Sequence, residues 1–395
     1  MNVTGQDDFS FHKAVNLKNY PMKLHDLRKL IIAGIIFLAA VPLFSQAPGK
    51  IRVLSYYSGP TEALDNYNVN QMTHIIFCFG RLNGNRFSVR SQRDTATIEK
   101  MVSLKSKNPD LKVLLSLGGW GGCKTCSDVF ATRQGRKEFT ESIKEHYDYF
   151  KVDGLDLDWE YPGISGYPGH KFMPADKKNF TKLVNELRKL GYGYELSFAA
   201  GSSQRYIDSA VQWNRVMKKV DYVNLMTYDH SGPGSRTAMH HTSLYSSPGQ
   251  PRSADLTVRT LLSLGVPREK LIVGGAFYGK IFEVEDDVNN GLYQPAKFKN
   301  TMTYKNAITQ LSPDSGWVFQ WDEIAGAPYL YNASKKLFFT YDDKRSIEMK
   351  AKYVIDNKLG GIMYWQLGGD VFTDGLLETI DKVVRTYTGE AKLDP

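Results

Sequence analysis

The chain has 395 residues, of which 42% are hydrophobic and 23% are charged, and its formal net charge is +8 at pH 7. These values are ordinary for a globular protein, and the length suits one large domain or two of ordinary size. Because no run of lysine and arginine concentrates the positive charge, the sequence argues against a nucleic-acid-binding function.

The first 47 residues are predicted to be a leader that does not belong to the fold. Lys23, Arg28 and Lys29 precede the apolar run 30–44, and small residues follow it at 45–47. This order is typical of an export signal. The run is short for a membrane span, which needs about 20 apolar residues, so an uncleaved anchor is the alternative. We expect an exported protein, secreted or periplasmic, that is not inserted in a membrane after signal cleavage.

From residue 51 onward, short apolar runs alternate with longer amphipathic stretches. The predicted strands are 51–57, 74–79, 112–117, 154–158, 195–199, 222–226, 271–275 and 361–364. The predicted helices are 95–107, 133–150, 176–190, 254–264, 346–357 and 376–387. Apolar strands that alternate with helices indicate a parallel sheet covered by helices, and eight such units predict an α/β fold, the (β/α)8 TIM barrel. A doubly wound open sheet is the alternative, but no glycine-rich phosphate loop follows the first strand.

The segment between the seventh predicted strand and its helix is too long for an ordinary loop. It contains three short strand-like patterns, at 291–293, 317–321 and 337–341. We predict a small α+β insertion on the rim of the barrel. The expected boundaries are 1–47 for the leader, 48–279 and 344–390 for the barrel, 280–343 for the insertion and 391–395 for a tail.

The fourth predicted strand carries a row of acids, Asp153-Gly-Leu-Asp156-Leu-Asp158-Trp-Glu160. Because side chains alternate faces along a strand, Asp156, Asp158 and Glu160, here called the acidic motif, share one face, and the apolar residues between them share the other. Like charges this close raise at least one pKa. Such a carboxyl can stay protonated near neutral pH and donate to a leaving group. A solvated edge strand would not need a wholly apolar opposite face.

The row is similar to the DxxDxDxE signature of glycoside hydrolase family 18, the chitinase family. The MTYD sequence at 226–229 and the SLGG sequence at 116–119 resemble two further motifs of that family. The WDE sequence at 321–323, with Pro-Tyr at 328–329, is similar to the insertion of bacterial exo-acting chitinases. The resemblance covers nearly all of 51–387, and it implies a TIM barrel that acts on polymers of β-1,4-linked N-acetylglucosamine such as chitin.

The resemblance also implies a retaining mechanism in which the substrate's own N-acetyl group is the nucleophile. Glu160 would be the general acid and then the base for water. Asp158 would orient the acetamido group and stabilise the oxazolinium charge, and Asp156 would share a proton with Asp158. Tyr228 would donate a hydrogen bond to the acetamido carbonyl. No metal or organic cofactor is implied, and we expect a monomer.

Active sites of TIM barrels lie at the C-terminal ends of the strands, and aromatic or acidic residues occur at most of the predicted strand ends. The predicted substrate-binding residues are Trp365, Asp229, Met226, Tyr278, Trp120, Phe79, Tyr57, Lys280, Trp321 and Asp322. Trp365 would form the floor of the cleaved subsite, and Asp229 would bind the sugar. For Phe79, Tyr56 and Tyr57, core packing is the alternative. Structural roles are predicted for Asp153, Ser116, Gly118 and Gly119.

Two details depart from the family pattern, and both concern substrate contacts. His230-Ser-Gly232 follows the MTYD motif, where the family often has an aromatic residue or leucine and then His-Gly. Lys280 replaces an arginine that is common there, which keeps the charge but loses the bidentate fork.

The three cysteines indicate a local cross-link and not a metal site. Cys123 and Cys126 form a Cys-x-x-Cys sequence, with no second pair at ligand spacing. In an exported chain we expect a disulfide between them, which stabilises such a short loop only modestly. Cys78 lies in an apolar run and is predicted to be a buried free thiol.

Three other functions stay open on the sequence alone. The same fold could act as an endo-β-N-acetylglucosaminidase on N-glycans or as a peptidoglycan-directed glucosaminidase. A non-catalytic sugar-binding protein is the third alternative, and the intact Glu160 argues against it.

Overall fold

The computed structural model describes residues 51–389. Its strands are β1 (Arg52–Tyr57), β2 (His74–Asn83), β3 (Arg86–Ser88), β4 (Lys112–Gly118), β5 (Gly154–Asp158), β6 (Glu195–Gly201), β7 (Tyr222–Met226), β8 (Leu271–Ala276), β9 (Tyr278–Val284), β10 (Ala296–Thr303), β11 (Val318–Asp322), β12 (Ala327–Asn332), β13 (Leu337–Thr340) and β14 (Gly361–Trp365). The predicted leader and tail lie outside the described residues.

The α-helices between the strands are α1 (Gln92–Ser103), α2 (Cys126–Ala131), α3 (Arg133–Phe150), α4 (Asp176–Leu187), α5 (Gln204–Ser209), α6 (Trp213–Val216), α7 (Ala254–Ser263), α8 (Tyr304–Gln310), α9 (Lys344–Asp356) and α10 (Leu376–Thr388). The six predicted helices correspond to α1, α3, α4, α7, α9 and α10. None of the helices between residues 51 and 389 is long and apolar enough to cross a membrane.

Eight parallel strands close into a barrel. Their order is β1-β14-β8-β7-β6-β5-β4-β2, and β2 pairs with β1 to complete the ring. The short β3 is added to β2 in antiparallel orientation. The predicted (β/α)8 barrel is therefore confirmed, and the open doubly wound sheet is excluded.

A second, five-stranded antiparallel sheet has the order β10-β9-β13-β12-β11. Its first strand begins at Tyr278, just after β8 ends at Ala276, and α9 begins after its last strand. The long excursion predicted between the seventh barrel strand and its helix therefore contains this sheet. The exact domain boundaries stay predictions.

Side-chain polarity explains how β5 is oriented. Leu155, Leu157 and Trp159 are buried against the surrounding helices, where the Trp159 ring lies 5.5 Å from that of Phe130 between centroids. The alternate residues point into the barrel, where a smaller apolar cluster that includes Leu54, Ile76, Leu114, Ile272 and Met363 fills the space. The period of two thus directs the acids to the barrel interior.

Capping side chains define where several helices begin. Ser91, Thr132, Ser203, Ser253 and Asp343 each accept a hydrogen bond from a backbone N–H of the first turn that has no partner within its helix. Each such cap contributes about 1 kcal/mol. These helices cover the outside of the barrel and leave the C-terminal ends of its strands open.

Candidate active site

Asp156 lies in the barrel interior and is wholly buried. Its carboxylate accepts hydrogen bonds from Tyr56 Oη at 3.0 Å and Ser116 Oγ at 3.0 Å, and from Ser197 Oγ at 2.6 Å and Asn224 Nδ2 at 3.1 Å. Burial raises the pKa of Asp156, and these hydrogen bonds oppose that rise. Four neutral donors therefore hold this acid in one orientation.

Sequence reasoning missed two of these partners, Ser197 and Asn224. Ser197 lies on β6 directly opposite Asp156 in the register of β5 and β6, and Asn224 lies on β7, the strand beyond β6. The available signal was a polar residue in the middle of an otherwise apolar strand, since a buried polar side chain needs a partner.

Asp158 points into the barrel one layer above Asp156 and is 4% exposed. Its Oδ1 is buried and has no hydrogen-bond partner in the part of the chain that the structure describes. Burial and the negative charges of Glu160 and Asp156 raise its pKa well above the ordinary value. The carboxyl is therefore held in its protonated form and presents an oxygen that is free for a ligand.

Glu160 follows the end of β5 and completes the acidic motif. Burial raises the pKa of Glu160 to about 7, with a further rise from the charge of Asp229, and a hydrogen bond with Tyr161 opposes both. A carboxyl that titrates near neutral pH can give up and take back a proton during turnover. Cis peptide bonds follow Cys78 in β2, Glu160 just beyond β5 and Trp365 at the end of β14.

A cavity of about 810 Å³ opens over these acids, which is within the usual size range of ligand sites. Of the predicted catalytic and substrate-binding residues, the structure brings ten to its wall: Phe79, Trp120, Asp158, Glu160, Met226, Tyr228, Asp229, Tyr278, Lys280 and Trp365. Asp156 lies beneath it. The predicted convergence of strand-end residues therefore holds for most of the set.

Aromatic rings form one wall of this cavity. The Trp365 ring is stacked on that of Phe79, with centroids 5.4 Å apart and planes inclined by 15°. Tyr56 lies on the other side, 6.0 Å from Trp365 between centroids. Trp120 is 57% exposed and lies 6.5 Å from Tyr161. Flat apolar surfaces of this kind suit the faces of sugar rings.

Gly118 and Gly119 permit the close approach at the end of β4. A Cβ on Gly118 would lie 2.1 Å from the backbone oxygen of Asp158, and one on Gly119 would lie 2.4 Å from the Phe79 ring. Both residues also have positive φ angles, of 111° and 73°. These two glycines therefore let the acidic motif and the aromatic wall lie next to each other.

Asp229 has a positive φ of 57°. Its Oδ1 lies 2.5 Å from Lys280 Nζ and accepts a hydrogen bond from Tyr278 Oη at 2.6 Å. The side chain is 56% exposed, within the open cavity. The surrounding protein acts to raise the pKa of Asp229, but hydrogen bonding to His241 and the charge of Lys280 outweigh this and hold the pKa far below its ordinary value. Asp229 is therefore ionised, in contrast to Asp158.

Tyr228 is the third residue of the MTYD motif. It lines the cavity and is 7% exposed. Burial, followed by the charge of Asp158, raises the pKa of its hydroxyl well above the ordinary value. The hydroxyl therefore keeps its proton over the working pH range. It lies 3.9 Å from Met363 Sδ, a weak acceptor, so it can donate to a bound oxygen.

The prediction that Tyr57 contacts substrate is wrong. Tyr57 is wholly buried among the residues between the barrel and its helices, and its hydroxyl donates to the backbone oxygen of Pro60. Tyr56, one residue earlier, has the inward parity and lines the cavity. A strand places adjacent side chains on opposite faces, so only one of the two tyrosines could enter the site.

Trp321 and Asp322 lie outside the wall of this cavity, so their predicted contact with substrate stays a prediction. Asp322 Oδ1 accepts hydrogen bonds from the backbone N–H groups of Ile324 and Ala325 at 2.9 and 3.1 Å. The guanidinium of Arg345 covers the Trp321 ring at 3.7 Å from its centroid. Asp322 therefore stabilises the turn after β11, and Trp321 packs against Arg345.

The remaining predicted residues have structural contacts. Asp153 accepts a hydrogen bond from the Val113 backbone N–H at 2.7 Å and lies 2.6 Å from Lys105 Nζ. A disulfide joins Cys123 and Cys126, and Cys78 is a buried free cysteine. Between residues 51 and 389, no cluster of three or more histidine, cysteine, aspartate or glutamate side chains could hold a metal ion.

The chain is similar to several chitinases. It is 32% identical over 298 residues to chitinase A1 of Niallia circulans, an alignment that covers 69% of this chain and 42% of that protein. It is 30% identical over 337 residues to probable chitinase 2 of Drosophila melanogaster, covering 78% of this chain and 68% of the relative. The chain thus spans less than half the length of chitinase A1 and about two thirds of the Drosophila protein.

The fold of the chain matches a solved structure over nearly the whole length of that structure. The family 18 N-acetylglucosaminidase from Paenibacillus barengoltzii superimposes with a TM-score of 0.77 and 33% identity, covering 84% of this chain and 99% of that one. The model of glycosyl hydrolases family 18 matches residues 52–370, which contain the barrel and every residue of the acidic motif. The chain therefore belongs to glycosyl hydrolase family 18.

Proposed function

We propose that this protein hydrolyses β-1,4-linked polymers of N-acetylglucosamine, such as chitin and its oligosaccharides, with retention of configuration. The observation that carries the proposal is Glu160, a carboxyl with a pKa near 7 at the edge of a sugar-sized cavity. Beneath it, Asp158 is protonated and offers an unpaired oxygen. Relatives named as chitinases support the choice of substrate.

In the first step, Glu160 donates its proton to the glycosidic oxygen. The carbonyl oxygen of the substrate's N-acetyl group attacks the anomeric carbon as the bond to the leaving sugar breaks. This forms a cyclic oxazolinium ion and leaves Glu160 as a carboxylate. In the second step, Glu160 takes a proton from water, whose oxygen attacks the anomeric carbon and reopens the ring. The family is known for this use of the substrate as nucleophile.

The neighbouring groups position the acetamido group during both steps. Asp158 hydrogen-bonds the acetamido nitrogen and, once its proton has passed to Asp156, compensates the positive charge of the oxazolinium ion as a carboxylate. Asp156, held by four donors, shares a proton with Asp158 and so controls its ionisation. Tyr228 donates to the carbonyl oxygen before attack. Trp365 supports the apolar face of the sugar, and the ionised Asp229 binds its hydroxyl groups.

A second candidate differs only in the product. The N-acetylglucosaminidase from P. barengoltzii is matched over 99% of its length. This match makes the release of single N-acetylglucosamine units the second candidate, beside the release of the disaccharide. Both products require the same acidic motif. The size of the released sugar therefore separates the two candidates without affecting the mechanism.

Product analysis on chitin oligosaccharides, an N-glycoprotein and peptidoglycan tests the proposal. We expect the wild type to release mono- or disaccharides from the oligosaccharides, with the β-anomer formed first because configuration is retained. We expect E160Q to release no product. Cleavage of only the N-glycoprotein or only peptidoglycan would keep the mechanism but show that chitin is not the substrate. Binding without cleavage by the wild type would contradict an enzymatic function.

We also propose that the protein is exported by the segment 1–47, which the structure does not describe. The disulfide Cys123–Cys126 supports this, because such bonds persist in oxidising compartments. The N-terminal sequence of the protein recovered from the medium or the periplasm tests it. A start close to residue 47 is expected. Recovery in the membrane fraction with the leader intact would favour the anchor instead.

A further inference from the structure

Arg252 is a cation in the cavity wall that has no carboxylate partner among the described residues. Its two terminal nitrogens lie 3.3 Å from the backbone oxygen of His230 and 3.3 Å from Ser202 Oγ, both neutral acceptors. Its Nε is buried and has no hydrogen-bond partner within residues 51–389. The other cation of the wall, Lys280, is paired with Asp229 at 2.5 Å.

This arrangement leaves donor capacity unused. A guanidinium carries five N–H donors and accepts no hydrogen bond, and the two contacts of Arg252 are longer than usual for a charged donor. A partly buried arginine normally finds a carboxylate or several oxygens. A bound oxygen-rich molecule would supply what the protein itself does not.

Arg252 lies towards the part of the cavity that would hold the departing sugar when the glycosidic bond is cleaved. The guanidinium of Arg252 reaches Ser202 Oγ, and the Tyr161 ring lies beside the preceding residue, Gly201. Tyr161 directly follows Glu160. Trp365 instead packs on Phe79 and Tyr56, so the two residues mark different parts of the cavity. If Trp365 supports the sugar whose bond is cleaved, Arg252 lies towards the sugar that departs.

The cavity wall that contains Arg252 also has a stretch without side-chain donors and with free space. The segment Gly232-Pro233-Gly234 lines the same cavity, and none of its side chains carries a donor. A Cβ on Gly234 would meet nothing within 4 Å. A sugar ring can therefore approach this wall, and Arg252 is the residue there that can bind its oxygens with a charged donor.

We propose that Arg252 binds an oxygen of the N-acetylglucosamine unit on the leaving side, so that it favours substrates that extend beyond the cleaved bond. This inference rests on the proposed function. The reactive carboxyls do not depend on Arg252. Its removal therefore weakens the binding of the departing sugar and leaves the acid–base chemistry intact.

The test compares two substrates in the intact chain. Chitotetraose places a sugar on the leaving side, whereas nitrophenyl glycosides of N-acetylglucosamine and its disaccharide place only an aryl group there. For R252M we expect kcat/KM on chitotetraose to fall by about tenfold to a hundredfold, as for loss of a charged hydrogen bond, with the aryl glycosides unchanged. R252K, which keeps the charge without the fork, is expected to be intermediate.

The control is R205M, because Arg205 is exposed and lies outside the cavity wall; it should behave as the wild type on both substrates. Equal losses on both substrates for R252M, or no loss on chitotetraose, would overturn the inference. If R252M does not fold, the same comparison of substrates with R252K decides. A wild type that cleaves neither substrate would instead refute the proposed function.

Discussion

Lys280 Nζ lies 2.5 Å from Asp229 Oδ1, and the same oxygen accepts a hydrogen bond from Tyr278 Oη. Lys280 is buried, and its Nζ also donates to the Ser231 backbone oxygen at 2.8 Å. Together with hydrogen bonding to His241, this contact explains how one carboxylate stays ionised in a cavity where Asp158 and Glu160 have raised pKa values. The two kinds of carboxyl thus perform different tasks a short distance apart.

Replacement of Lys280 by methionine should move the acidic limb of the pH profile. Without the cation, the pKa of Asp229 rises, so Asp229 begins to protonate at higher pH. We expect the acidic midpoint of kcat/KM in K280M to rise by roughly 1 pH unit, the usual effect of removing an opposite charge. K280R keeps the charge and should leave the midpoint in place. An unchanged midpoint in K280M would mean that Asp229 ionisation does not limit turnover.

Replacement of Glu160 by glutamine should abolish turnover and define the alkaline limb. General acid catalysis contributes roughly 100- to 10,000-fold, so kcat should fall by at least that range. In the wild type, the acid must be protonated for the first step, so kcat/KM should decline above about pH 7. A substitution at the exposed Glu99 is the control. An alkaline limb retained by E160Q would assign it to another group.

The same substitution should make the protein more stable at alkaline pH. The folded pKa of Glu160 is about 7, whereas the unfolded pKa is about 4.3. The folded state therefore binds the proton more tightly, and the wild type loses stability as the pH rises from about 4.3 to 7. We expect E160Q to exceed the wild type by about 1–3 kcal/mol at pH 8 and by little at pH 4. Urea unfolding at both pH values measures this difference.

The sequence was sufficient to predict the barrel and the acidic motif, because both rest on local periodicity. Alternation along β5 directs Asp156 and Asp158 inward whatever the neighbouring strands contain. The partners Ser197 and Asn224 depend on which strands become neighbours and in which register, and this is decided by closure of the barrel. The family motifs identified the reactive residues but not these contacts.

Several side chains could not be placed from the sequence because their surroundings depend on contacts distant in sequence. Tyr56 and Tyr57 are equivalent in composition and position, and only the pairing of β1 with its neighbours decides which tyrosine faces inward. Trp321 and Asp322 belong to the second sheet, and their position outside the cavity wall depends on contacts distant in sequence. Arg252 lies outside the family motifs, and only the folded chain shows that its guanidinium lies in the cavity wall without a carboxylate partner among the described residues.

The two tyrosines provide a matched test of that inward parity. Y56F removes the hydroxyl that donates to Asp156 at 3.0 Å, so we expect a lower kcat together with a loss of about 1 kcal/mol of stability. Y57F removes the donor to the Pro60 backbone oxygen on the outer face, so it should cost about 1 kcal/mol of stability and leave the kinetics unchanged. Equal kinetic losses in both variants would contradict the orientation of β1.

Asp156 separates a packing role from an electrostatic one. D156A leaves four buried donors without their acceptor, and we expect it to lower the free energy of unfolding by about 1–3 kcal/mol. D156N keeps the shape and one acceptor oxygen, and the hydroxyls of Tyr56 and Ser116 can rotate to accept from its amide. D156N should therefore fold nearly as well as the wild type.

Both Asp156 variants should nevertheless lose most of their activity, because neither can share a proton with Asp158. The charge of Asp156 contributes to the raised pKa of Asp158, so that pKa should fall in D156N. Urea unfolding measures the stability, and kcat as a function of pH measures the ionisation. S116A, which removes one donor and no charge, is the control. Full activity in D156N would show that Asp158 needs only hydrogen bonding from position 156, and that proton sharing with a second titratable group is not required for turnover.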